Sequence, residues 1–178
     1  MRYPEYAKVG EKLYKIDTDF RTALKCQKIA QSNVRNEERA LAVIYLLFGD
    51  EGLENIDDLK ELMEKAIYYL SCGKESDGNS SEPDMDFEQD EAYIKASFYT
   101  DYGIPNIYDT NMHWWEFMDL INGLKEDCVL NRVREIRNYD LSQIKDPKAR
   151  AQILKQKEAV ALKRKEPEMT EEQPYEQC

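Results

Sequence analysis

A chain of 178 residues suits one domain, or one domain with tails. Charged residues make up 34% and mean hydropathy is -0.77, yet 42% of residues are hydrophobic, so a core can form while part of the chain stays outside it. The net charge of -11 and pI of about 4.7 repel nucleic-acid phosphates and anionic lipid, and select basic or apolar partners.

Seven glycines and six prolines are too few for a many-turned β-sandwich. No apolar run reaches membrane-spanning length, and residues 1–5 lack the apolar stretch of a secretory signal. Cys26, Cys72, Cys128 and Cys178 are far apart, and reduced thiols are the natural expectation.

Residues 1–16 show no sustained period; Tyr3, Tyr6, Tyr14 and Ile16 suit a short extended segment or a hairpin packed on the core. A first helix begins at Thr18 or Asp19, places Phe20, Ala23 and Leu24 on one face, and ends at Ser32-Asn33. Asn36 is the expected cap of the second helix, with Glu37 and Glu38 in its first turn. The uncharged run 40–48 then predicts a helix buried on all sides, closed by Gly49; a buried strand is the rival, and the Glu-Glu-Arg-Ala start and alanine content favour the helix. The third helix runs from about Asp57 to Leu70, with Leu59, Leu62, Met63, Ala66, Ile67 and Leu70 on one stripe.

Residues 73–84 are polar and punctuated by Gly, Ser and Pro, and read as a flexible loop. Asp86 with Gln89 resembles a capping box opening the fourth helix, whose stripe is Phe87, Ile94, Phe98 and Tyr102, flanked by Ala92, Ala96 and Tyr99. Gly103 and Pro105 stop it. Asp109 or Thr110 caps a fifth helix with Trp114, Phe117, Met118, Ile121 and Leu124 inward; Asp127 caps a sixth with Val129, Val133 and Ile136 inward. The expected class is all-α: a compact multi-helix domain over 1–140, a basic C-terminal helix at 141–166, and a disordered acidic tail at 167–178.

Between Lys145 and Lys165 eight basic residues face only Asp146 and Glu158, a net of +6, and Pro147 suits a first helical turn. Residues 166–178 carry five glutamates and no base. The basic stretch has no interleaved aromatics and is followed by acid, so a solvated helix bridged at i, i+4, or one that docks a protein, is favoured over nucleic acid.

Chemical constellations are sparse. Asp84-x-Asp86-x-Glu88 departs from a calcium loop where that loop is demanding, with Gln89 at the glycine position and Lys95 at the bidentate glutamate. His113 is the sole histidine; a Cys–His pair stays open as an alternative, but local packing at a helix start is the favoured reading. Neither an enzyme, a cofactor, a metal, a membrane nor a small-molecule substrate is expected. Trp115 lies 100° off the stripe of Trp114, so it packs on a second surface or meets a partner. Trp115, Lys148, Arg150, Lys155 and Lys157 are the candidate partner-binding residues.

Several pieces occur together in order: Asp19-Phe20-Arg21, Leu46-Leu47-Phe48-Gly49, Asp86-Phe87-x-Gln89-Asp90, Phe98-x-x-x-Tyr102-Gly103-Ile104, His113-Trp114-Trp115-Glu116-Phe117, Leu120-x-x-Gly123-Leu124 and Arg134-x-x-Arg137. Over roughly residues 17–140 the chain resembles the phage "gene product fifteen" family of tailed phages and prophages of Gram-positive bacteria. The resemblance implies a tail-morphogenesis protein encoded between the major tail protein and the tape-measure protein. From that follows the expectation of a non-enzymatic chaperone or scaffold in the host cytoplasm, binding the tape-measure protein or itself. The alternatives are a structural virion component of tail or connector, and a small regulatory or host-acting binder.

Overall fold

The computed structural model describes residues 3–74 and 83–163. It opens with an antiparallel hairpin, β1 (Tyr6–Val9) and β2 (Lys12–Lys15), in register from Tyr6 opposite Lys15 to Val9 opposite Lys12. Gly10 takes a φ of 55° at the first central position of the two-residue turn, as a type II′ hairpin requires. Strand alternation sends Ala7, Val9 and Tyr14 into the core and leaves Tyr6 and Leu13 outside. The Tyr14 hydroxyl donates to Asp58 at 2.6 Å, fastening the hairpin to the start of the third helix.

The expected all-α class is corrected on this point: the fold is mostly helical, with a small sheet that contributes to the core. Seven α-helices follow among the described residues: α1 (Phe20–Ala30), α2 (Asn36–Phe48), α3 (Leu59–Leu70), α4 (Glu91–Tyr102), α5 (Trp114–Asn122), α6 (Val129–Asn138) and α7 (Pro147–Val160). The expected loop at 73–84 falls largely on residues 75–82, and the expected acidic tail and Cys178 fall wholly beyond residue 163; these lie outside the described residues.

Asp19 caps α1 as its spacing implied, accepting from the Arg21 amide at 2.9 Å. Other starts differ. Arg35, not Asn36, occupies the cap position of α2. Asp86 accepts from the amides of Glu88 and Gln89, but it caps only a turn, and α4 begins one turn later behind Asp90. Asp109 is spent in a 3-10 turn capped by Asn106, so the His113 ring caps α5. The Cys128 sulfur, rather than Asp127, caps α6.

Packing also rotates several faces. α2 lies against α1 and α3, burying Val43, Ile44, Leu47 and Phe48. Its remaining side meets water, so Leu41 and Tyr45 are exposed and Leu46 is only half-buried, against the expectation of a helix buried all round. On α3 the buried line is Leu62, Ala66 and Tyr69, while Ile67 is exposed. Ala92, Ala96, Tyr99 and Val129 likewise face outward.

The core centres on stacked rings: Phe117 lies 4.8 Å from Phe20, 5.6 Å from Phe98 and 5.7 Å from Trp114, centroid to centroid. Backbone bonds lace the distant segments together. The Trp114 amide donates to Thr18 O at 2.8 Å, the Phe20 amide to Met112 O at 3.1 Å, and the Asp17 amide to Leu47 O at 2.7 Å.

Candidate partner-binding surfaces

The last carbonyls of a helix lack intrahelical donors. At the end of α3 the tryptophan pair supplies them. Trp114 Nε1 donates to Leu70 O at 3.1 Å, and Trp115 Nε1 donates to Tyr69 O at 2.9 Å. Trp114 is buried; Trp115 is half-buried, stacked on Tyr69 and leaning on Tyr68, itself more than half exposed. The second surface that Trp115 required is therefore α3 of the same chain, which leaves only part of its ring, beside Tyr68, for a partner.

His113 is committed on both sides. Nδ1 accepts from the Trp115 amide at 3.0 Å, which leaves the proton on Nε2, directed at Pro4 O at 3.0 Å. Its ring stacks on Tyr3 at 4.9 Å. Burial pushes the Cys72 thiol up to about 11 and the Cys26 thiol up to about 12, the opposite of nucleophilic activation. Asp84 pairs with Arg134 at 3.2 Å and accepts from Asn138 at 2.9 Å. Among the described residues no group of three or more His, Cys, Asp or Glu can hold a metal ion, and no helix is long and apolar enough to cross a membrane.

The C-terminal side is organised by Arg137. Its guanidinium donates two 2.7 Å bonds to the fully buried carboxylate of Asp90, one of 2.8 Å to Asp84 O, and one of 2.6 Å to Val160 O at the end of α7. Gln89 then reads the backbone of Lys163 as a neighbouring strand would, accepting from its amide at 2.7 Å and donating to its carbonyl at 3.2 Å. Between these anchors, the end of α1 and residues 83–86 opens a cleft of about 710 Å³, which Leu162 helps to line.

α7 itself buries no residue. Ala149, Ile153, Lys157 and Val160 are its half-buried line, and α6 is its main support. Asp146 caps it and Pro147 opens it. Of the candidate residues, Lys157 is a tether, donating to Tyr139 O at 2.7 Å, whereas Lys148, Arg150 and Lys155 are exposed. The structure does not gather the five candidates into one surface: Trp115 belongs to the end of α3, and the bases belong to α7. Reading by residue type passed over Asp90, Gln89 and Arg137 as anchors. The available signal was their place in the ordered pieces that carry the family resemblance.

Those pieces converge in space. Asp19 bridges His113, Phe20 stacks on Phe117, Tyr102 donates to Leu120 O at 2.8 Å, and Asp90 holds Arg137. Such a protein is a mostly helical domain whose most distinctive residues are spent on joining its own helices. The chain belongs to the family described as bacteriophage Gp15 protein, whose model matches residues 4–162. The match takes in the hairpin and α7, beyond the 17–140 suggested by the short pieces. Comparison with curated proteins and with solved structures returned no match.

Proposed function

We propose that this phage protein is a non-enzymatic tail-assembly protein, a chaperone or scaffold that binds the tape-measure protein in the host cytoplasm during tail morphogenesis. Membership of the bacteriophage Gp15 protein family carries the reading. Tape-measure proteins are long, helical and adhesive before the tail tube encloses them, and an acidic helical binder with spare apolar surface suits such a client. That surface includes Tyr45, Ile67, Tyr68 and Tyr99, each at least half exposed. His113 and the tryptophan pair, the residues richest in chemical potential, are occupied by local structure.

The test is co-expression with the tape-measure protein encoded in the same phage, followed by pull-down through a tag on this chain. Recovery of the client, together with a larger soluble fraction of it, is the expected result. An insoluble client that never co-purifies overturns the chaperone reading. Stoichiometric presence of this chain in purified virions would make it a structural component instead.

A further inference from the structure

Two surfaces on different elements of this chain are complementary. The first is the outer face of α7. Lys148, Ala151 and Lys155 follow each other at helical spacing, opposite the half-buried line that rests on α6, with the 45% exposed Leu154 alongside. Residues 145–165 carry +6 and residues 166–178 carry -5, so the whole-chain -11 leaves -12 on residues 1–144. α7 itself, with Lys148, Arg150, Lys155 and Lys157 against Glu158, is thus a basic helix packed on a strongly acidic body. Lys148, Arg150 and Lys155 are held outward because the other side of the helix is pinned by Arg137, Gln89 and Lys157.

The second surface is the segment between α2 and α3. Asp50, Glu51, Glu54 and Asp57 stand exposed there around Leu53 and Ile56, with Lys12 of the hairpin at 4.0 Å from Glu51 and 3.9 Å from Glu54, so the patch stays net acidic. Ile56 is 79% exposed, more than any other large hydrophobic of the core-forming region. An isoleucine in that position, set among carboxylates, suits a leucine flanked by Arg150 one turn back and by Lys155 beside it in both apolar and charge pattern.

We infer that copies of this chain associate head to tail, the outer face of α7 of one copy seated on residues 50–57 of the next. The two faces are different patches of one molecule, so the contact is heterologous and propagates into a ring or an open row. One helix face against one loop is a small interface, which makes the association reversible. At physiological salt the screening length of about 8 Å weakens repulsion between two acidic bodies while sparing charges at contact distance.

The full chain is examined by sedimentation velocity across a concentration series. The wild-type average mass is expected to rise beyond that of a dimer. Lys148→Gln with Lys155→Gln, and separately Glu54→Gln with Ile56→Thr and Asp57→Asn, are each expected to abolish the rise. All five positions are exposed, so circular dichroism and the thermal midpoint stay at wild-type values. If the midpoint of the triple variant falls, Ile56→Thr with Asp57→Asn is scored in its place.

The decisive sample is the equimolar mixture. Each variant keeps one intact face, so the mixture forms dimers and nothing larger. A wild type monomeric at every concentration, a 54–57 variant with wild-type mass, or a mixture that stays monomeric overturns the inference. If the 54–57 variant keeps wild-type mass while the Lys148, Lys155 variant stays monomeric, α7 meets another α7 symmetrically instead. The assignment stands apart from the tape-measure reading, because loss of client recovery leaves these masses unchanged.

Discussion

Asp90 and Arg137, 47 residues apart in the chain, meet through two parallel 2.7 Å hydrogen bonds, with the carboxylate wholly out of water. Removing one partner strands a buried charge. Arg137→Met is therefore expected to cost about 3–5 kcal/mol, and Asp90→Leu with Arg137→Met together less than the sum of the two single changes. Urea unfolding of the four members of that cycle measures the coupling. Strict additivity would show that the two residues do not act as a pair.

Three leucines of α2 differ in exposure and so grade its burial. Leu47 is fully buried, Leu46 half-buried and Leu41 exposed. Leu47→Ala is expected to cost about 2–5 kcal/mol through lost burial and the cavity left behind. Leu46→Asp costs less than Leu47→Asp, and Leu41→Asp stays within about 0.5 kcal/mol of wild type. Thermal midpoints in that order are the readout; an equal loss at all three positions would place α2 at the centre of the core.

Acid sensitivity follows from Asp19. Its hydrogen bonds from the Arg21 side chain hold its carboxyl below the ordinary value of 3.8, against the opposing effect of burial. A folded carboxyl that titrates below its unfolded value stabilises the native state fully above the unfolded value, and that contribution disappears as pH falls through the lowered one. Asp19→Asn keeps a cap acceptor while removing the titration. The variant is expected to show a shallower loss of stability below pH 3.8 than wild type does, in thermal melts taken from pH 6 to pH 2.

Cys26 gives the opposite limb. Burial raises its thiol from 9.0 to about 12, so its contribution is complete below 9.0 and is lost as pH rises through about 12. Native alkylation at pH 8 is expected to leave Cys26 unmodified after half-buried Cys72 has reacted, as read by peptide mass. Prompt modification of Cys26 in folded protein would remove it from the core.

Helix existence was legible where the signal is local. The Gly49 stop of α2, the Leu70 end of α3, the Asp19 cap and the Pro147 start of α7 follow from residues within a turn of each other. The caps of α5 and α6 were not, because an imidazole and a thiol accept the amides there while better-known cap residues sit just upstream. Side-chain facing was legible only to within one position: Tyr69 is buried and Ile67 exposed because His113 and Trp115 pack against the end of α3. The anchors of α7 fell within the ordered pieces, but what each of them holds was illegible. No period or motif joins Gln89 to Lys163, and only the fold brings the two together.

The pairing of Asp19 with His113 bears on how the chain is made. Phe20 is fully buried in the finished core, but its stacking partner Phe117 leaves the ribosome nearly a hundred residues later. At roughly 5–20 residues per second that interval lasts on the order of ten seconds. Throughout it the residues of α1, α2 and the hairpin lack the ring that closes over them, and the Phe20 side chain stays open to whatever the nascent chain meets first.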